Sequence, residues 1–230
     1  MADLVVIVPS RGRPVAAREL AASFAETCTA DTRLVFALDS DDPELSAYPT
    51  TAGGEVCVAP APSNMVLTLN LAAKGYASYL PNFAIGFMGD DHRPRTVGWD
   101  SMYLDTLREL GTGLVYGDDL IQGERVPTQV AMTSDIVRAL GYMAPPQLVH
   151  LFVDNFWLSL GRLAGCIRYR SDVVIEHMHP VAGKAGWDEG HKRVNTPEYY
   201  ARDEAAWRAY IDAGHLAADV AKVEALREAR

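Results

Sequence analysis

Residues 83–94 read F-A-I-G-F-M-G-D-D-H-R-P, and the end of this stretch carries groups that could do chemistry. Asp90 and Asp91 are adjacent carboxylates, followed at once by the imidazole of His92. Charge at this density cannot leave water without compensation. Carboxylate oxygens with an imidazole suit a divalent cation such as Mn2+ or Mg2+ better than a structural zinc. A second donor group stands at Glu176-His177-Met178-His179-Pro180. There, two histidines two apart on an extended strand face the same side, as a pair of metal ligands would. Arg11 and Arg13 lie in Pro9-Ser10-Arg11-Gly12-Arg13-Pro14. Arginine beside a helix N-terminus fits phosphate or diphosphate binding. Asp39, in Asp39-Ser40-Asp41-Asp42-Pro43, is the first polar residue after an apolar run and is best placed to meet a nucleobase or ribose. Each motif has a plainer reading: an acidic turn, a solvated loop, or, for Asp154, a helix N-cap.

The elements around these residues predict why they should meet. Residues 4–8 and 83–88 are continuous apolar runs of strand length bounded by turn signals, the pattern of strands buried on both faces. Residues 33–38 form a second strand and 55–58 a short third. Between them, Ala17, Leu20, Ala21 and Phe24 recur at helical spacing after Pro14, which suits a first helical turn. Residues 65–79 read as a helix with Leu67, Leu71 and Tyr79 on its buried side and Asn70 and Lys74 on one stripe. Strands alternating with helices predict a parallel sheet, whose strands end along one edge, and ligands bind beyond that edge. Asp90, Asp39 and Arg11 should therefore share it.

The second half is less regular. Residues 99–110 read as a helix ended by Gly111, 114–116 as a strand leading to Asp118-Asp119, and 127–132 as another. Thr133 or Ser134 caps a helix ending near Gly141, and 173–175 form a strand before the His177/His179 pair. Lys184 and Asp188 follow in a glycine-rich loop. Thr196-Pro197 opens a last helical region to residue 230, read as a packing or oligomerisation element without chemistry.

Composition narrows the function classes. The chain of 230 residues is 49% hydrophobic and carries 21 basic against 30 acidic residues, a net charge of -9. That balance disfavours a sequence-independent nucleic-acid clamp. Cys28, Cys57 and Cys166 are odd in number and widely spaced, so neither a disulfide framework nor a cysteine zinc site is indicated. No apolar run reaches membrane-spanning length, and a cytoplasmic protein is expected. Neither G-x-G-x-x-G nor G-x-x-x-x-G-K-[ST] occurs, which weakens the dinucleotide and P-loop readings.

Taken in order, V-V-I-V-P-S-R-G-R-P, A-L-D-S-D-D, G-F-M-G-D-D-H, D-N-F-W and E-H-M-H-P resemble the GT-A glycosyltransferases, family-two-like enzymes that use nucleotide-diphospho-sugars. The resemblance spans roughly the first 190 residues, a span set by topology. It implies an α/β fold: a GT-A (Rossmann-like) mixed, mainly parallel central sheet flanked by helices. It implies one domain over 1–230, with a nucleotide-binding half at 1–95, an acceptor and catalytic half at 96–190, and a helical segment at 191–230. It implies that Pro9, Ser10, Arg11, Arg13, Asp39, Lys74, Asp90 and Lys184 hold the donor, a nucleoside-diphosphate sugar. Asp91, His92, His177 and His179 are then candidate ligands of Mn2+ or Mg2+, and Asp154 is the general base of an inverting transfer to an acceptor hydroxyl. One departure is His92, where many relatives carry Asp. Another is the lack of a long C-terminal extension, which leaves acceptor recognition to residues 99–146 or to a partner. The acceptor (protein, glycan, small molecule or modified base) and a homodimer are left open. The competing functions are a sugar-phosphate nucleotidyltransferase and a non-catalytic carbohydrate-binding subunit of the same fold.

Overall fold

The computed structural model describes residues 2–48, 54–79 and 82–229. Strands and helices alternate through the first half: β1 (Leu4–Ser10), α1 (Pro14–Thr27), β2 (Thr32–Asp39), β3 (Gly54–Ala59), α2 (Met65–Tyr79) and β4 (Ala84–Phe87). There follow β5 (His92–Pro94), α3 (Trp99–Leu110), β6 (Leu114–Asp118), β7 (Val130–Thr133), α4 (Ser134–Leu140), α5 (Val153–Leu163) and β8 (Ile167–His177). The chain closes with α6 (Glu189–Val194), α7 (Pro197–Asp212) and α8 (His215–Glu228). The strands form one sheet in the order β3-β2-β1-β4-β7-β6-β8-β5. β1, β2, β3 and β4 are mutually parallel, as is the β6–β8 pair, while β7 runs antiparallel to both of its neighbours. This is the expected mixed α/β sheet of GT-A type.

Alternation along β1 shows how the sheet divides the core. Val5 and Ile7 face a layer that includes Leu69, Ile136, Phe156 and Trp157. Leu4, Val6 and Val8 face the opposite layer with Leu20, Phe36, Trp99 and Leu107. Side chains two apart share a face of a strand, so a strand covered on both sides must be apolar at every position. Burying such side chains stabilises the fold by about 25 cal/mol per Å2 of apolar surface. Helix α2 departs from its predicted stripe: Leu67 and Leu71 are 46% and 49% exposed. Its buried side is Val66, Leu69, Ala72, Ala73 and Ala77, a small-residue face that lets the helix lie close on the sheet. The side chain of Tyr79 lies outside the described residues. Two strand expectations also change. β8 is eleven residues long rather than three, and His92–Pro94, to which the sequence reading gave no element, is a strand. The closing helical region is broken at Gly214, whose φ of +77° a glycine adopts without cost; residue 230 lies outside the described residues.

A buried carboxylate ties α3 to the connection between α1 and β2. Asp100, wholly buried, accepts from the backbone N–H groups of Thr29 and Ala30 at 3.0 and 2.9 Å and from the Thr32 hydroxyl at 2.7 Å. Burial works against its charge, but these donors hold its carboxyl below the ordinary carboxylate value. Asp100→Ala is expected to cost about 2–4 kcal/mol in urea unfolding, because it strands buried donors. The contribution should be intact above the unfolded value of about 3.9 and lost as pH falls through the depressed folded value.

Candidate functional site

Beyond the C-terminal ends of β1, β2 and β4 lies a cleft of about 770 Å3. Its walls include Ser10, Arg13, Asp39, Asp91, Asp154 and His177, from five separate stretches of chain. The floor is the turn between β4 and β5. There Asp91 is only 8% exposed, yet three imidazoles surround its carboxylate. His177 Nε2 and His191 Nε2 lie 3.4 and 3.3 Å from Oδ2, and His92 Nδ1 lies 3.5 Å from Oδ1. Burial alone would raise the Asp91 carboxyl; the histidines more than reverse this and hold it well below the ordinary range. The group is therefore anionic. His92 goes the other way, since burial and the neighbouring His177 lower its imidazole and keep it neutral.

Strand pairing assembles this cluster. β5 runs antiparallel to β8 with His92 opposite His177, and facing residues on adjacent strands bring their side chains into contact. The two rings stack with centroids 4.3 Å apart and planes 15° from parallel. Gly89 makes room. A Cβ there would stand 2.6 Å from Asp91 Oδ1 and 3.0 Å from His92 Nδ1. The Gly89 N–H donates to that same Nδ1 at 3.0 Å. Asp91, His92 and His177 each present a ligand atom, all within 4.8 Å of one another, so the residues fit a divalent cation in both spacing and chemistry. His179 follows just past β8; its Nδ1 accepts the Val181 N–H at 3.2 Å, and its ring lies 5.1 Å from those of His177 and His191. Burial lowers its imidazole to about 4.

The first loop forms the neighbouring wall. Arg13 reaches Asp90 Oδ1 at 2.5 Å through Nη1 and Asp188 Oδ2 at 2.9 Å through Nε. Ser10 donates its hydroxyl to the other Asp90 oxygen. Burial pushes the Asp90 carboxyl up to about 6 against the pull of Arg13. Farther out, Arg11 donates to Asp39 at 3.1 Å and to Asp41 at 2.5 Å, and Thr68 donates to the remaining Asp39 oxygen at 2.9 Å. Pro9 lines the cleft beside them.

Asp154 enters from the first turn of α5. It is not the N-cap: that position is Phe152, a non-glycine residue at φ +66°, a strained conformation of the kind found near functional groups. Burial raises the Asp154 carboxyl above its ordinary value, and Oδ1 accepts the adjacent Asn155 N–H at 2.9 Å. The loop before it is held from two sides. Asn70 of α2 accepts the N–H groups of Met143 and Ala144 at 2.9 and 3.0 Å and donates to the Ala144 carbonyl. Asp203 of α7, wholly buried, accepts the N–H groups of His150 and Leu151 at 2.9 and 2.8 Å. His150 itself lines the cleft, and burial lowers its imidazole to about 4.

Lys74 and Lys184 are not brought to this cleft. Lys74 lies on the exposed side of α2, opposite its alanine face. Lys184 pairs with Glu176 at 2.9 Å. Of residues 99–146, expected to form the acceptor wall, the cleft is lined only by Ile121, Gln122 and Thr128, while residues 149–155 and 190–200 supply most of that side. His191 escaped the sequence reading. It sits in a helix of six residues just before the region read as packing, and its signal is weak: a lone histidine three residues after Asp188. Asp203→Ala should leave two loop N–H groups unpaired and cost about 2–4 kcal/mol in melting experiments. Hydrogen exchange at His150 and Leu151 should accelerate while β1 amides stay protected.

No protein-family model and no curated protein matches this chain. Solved structures do. The S. aureus TarS 1-349 structure in complex with UDP-GlcNAc is 13% identical, over 93% of this chain and 72% of that one, with a TM-score of 0.56. A second S. aureus TarS structure is 15% identical, with 88% of this chain covering 43% of that one at a TM-score of 0.55. The mannosyltransferase PcManGT from Pyrobaculum calidifontis, in complex with GDP-Man and Mn2+, is 16% identical, over 97% and 80% of the two chains, with a TM-score of 0.58. At this identity the likeness is one of fold.

Proposed function

We propose that the protein is a metal-dependent glycosyltransferase that moves a sugar from a nucleoside-diphosphate donor to an acceptor hydroxyl, with inversion at the anomeric carbon. The observation that carries this reading is convergence: a cation-ligand set at Asp91, His92 and His177 shares one cleft with the arginine loop, Asp39 and Asp154. Two proteins of similar fold bear UDP-GlcNAc in one case and GDP-Man with Mn2+ in the other, which supports a nucleotide-sugar donor here.

Asp91, His92 and His177 would hold Mn2+ or Mg2+, with His179 beside them. Bound there, the cation would supply Lewis-acid neutralisation of the charge that grows on the leaving diphosphate. This chain's residues do the rest. Arg13 and Arg11 offer guanidinium donors along the same wall, suited to phosphate oxygens. Asp39, its carboxylate fixed by Arg11 and Thr68, and Pro9 flank the space for the base and ribose. Ser10 and Arg13 together hold Asp90 at the foot of that wall. Asp154 takes the proton from the acceptor hydroxyl as it attacks. A carboxylate whose affinity for a proton is raised by burial accepts one more readily than a free carboxylate. A single displacement opposite the diphosphate inverts the centre.

Asp154→Asn should keep nucleotide binding, read by calorimetry, while kcat falls by about 10^2-fold or more. Undiminished turnover in that variant would remove Asp154 from the chemistry. Wild-type activity should drop as pH falls through the raised Asp154 value, above that of a free carboxylate, because the base must be unprotonated. Chelator should abolish transfer and Mn2+ restore it, with free nucleoside diphosphate as product. Release of pyrophosphate would instead identify nucleotidyl transfer.

A further inference from the structure

Asp188 and His191 have no part in that mechanism, yet they join α6 to its centre. His191 is 6% exposed and directs Nε2 at Asp91 Oδ2, the oxygen that His177 Nε2 also approaches. Its other nitrogen lies 2.9 Å from Asp188 Oδ1 without an aligned hydrogen bond, and the same oxygen takes the His191 backbone N–H at 2.8 Å. The ring is thus held between two carboxylates, hydrogen-bonded through Nε2 to Asp91 Oδ2 at 3.3 Å. A carboxylate behind one imidazole nitrogen and a cation before the other is the recurrent pattern of metal-bound histidine. Asp188 also pairs with Arg13, which in turn holds Asp90. The attachment of α6 to the cleft therefore runs through groups that themselves face the cation and the diphosphate.

We propose that His191 is a further protein ligand of the cation, so that cation entry draws α6 and residues 180–188 shut over the cleft. The inference rests on the cation site of the proposed function but not on sugar transfer. Without the cation, His191 reaches the cluster through Asp91 Oδ2 and the edge of the His179 ring. With it present, Nε2 gains a partner stronger than a shared carboxylate oxygen, and Asp188 is placed to take the Nδ1 proton. α6 then becomes the closed wall of the site rather than a helix resting on it.

The test uses Mn2+ alone on the full chain, with no nucleotide. Free Mn2+ is followed by electron paramagnetic resonance, and closure by tryptic cleavage at Lys192 and Arg193, both exposed on α6. The unmutated protein should bind Mn2+, and cleavage at these two residues should slow several-fold on binding. His191→Gln should weaken Mn2+ binding by about tenfold or more and abolish the protection, while far-UV circular dichroism stays unchanged. Wild-type affinity in His191→Gln would overturn the proposal and leave the glycosyltransferase reading standing. Equal cleavage of the unmutated protein with and without bound Mn2+ would overturn closure without recourse to any variant. Failure of the unmutated protein to bind Mn2+ would remove both this proposal and the metal dependence assigned above.

Discussion

Everything in the cleft depends on one buried anion. A carboxylate removed from water must be compensated, and Asp91 is compensated by imidazoles from three places in the chain: its neighbour His92, His177 at the end of β8, and His191 in α6. This requirement fixes the pairing of β5 with β8, the glycine at position 89 and the location of α6. The sheet supplies the frame; the demand for charge balance decides which parts of the frame must touch.

The frame was largely legible in the sequence, for a physical reason. Strands covered on both faces carry unbroken apolar runs, so residues 4–8 and 83–88 announce themselves, and the acidic or arginine clusters that follow mark the sheet edge where parallel strands end. What was not legible depended on partners distant in sequence. A three-residue strand ending in proline has no periodicity to read, so β5 appears only through its register with β8. The leucines of α2 suggested a buried face, but close approach to the sheet favours alanine, and the helix turns Leu67 and Leu71 outward. His191 is invisible without knowing that α6 folds back across the β4–β5 turn.

The C-terminal helices have a double character. Trp207, Tyr210, Leu216 and Val223 join the core layer of α2 and α4, which is the packing role read from composition. Yet Asp203, on the same helix as Trp207, clamps the loop that leads into α5, and its two N–H acceptances precede Asp154 by only a few residues. A carboxylate wholly buried in a packing helix thus sets where another carboxylate points. The far wall of the cleft comes from residues 149–155 and 190–200, so it draws both on the span expected as the acceptor half and on the closing helical segment.

The spacing of the histidines along the chain has a consequence for synthesis. Asp91 and His191 are 100 residues apart, and β8 must pair with β5 before His177 reaches either. Contacts of such separation form late, after the local βα units have settled. On a ribosome, where domains emerge N-terminal end first, the β1–β4 half can assemble while its acidic turn is still without histidine neighbours other than His92. During that interval Asp91, without His177 and His191, stands at the edge of the sheet beside an Asp90 already held by Ser10 and Arg13, open to any cation or basic surface nearby, until the arrival of the last third closes it.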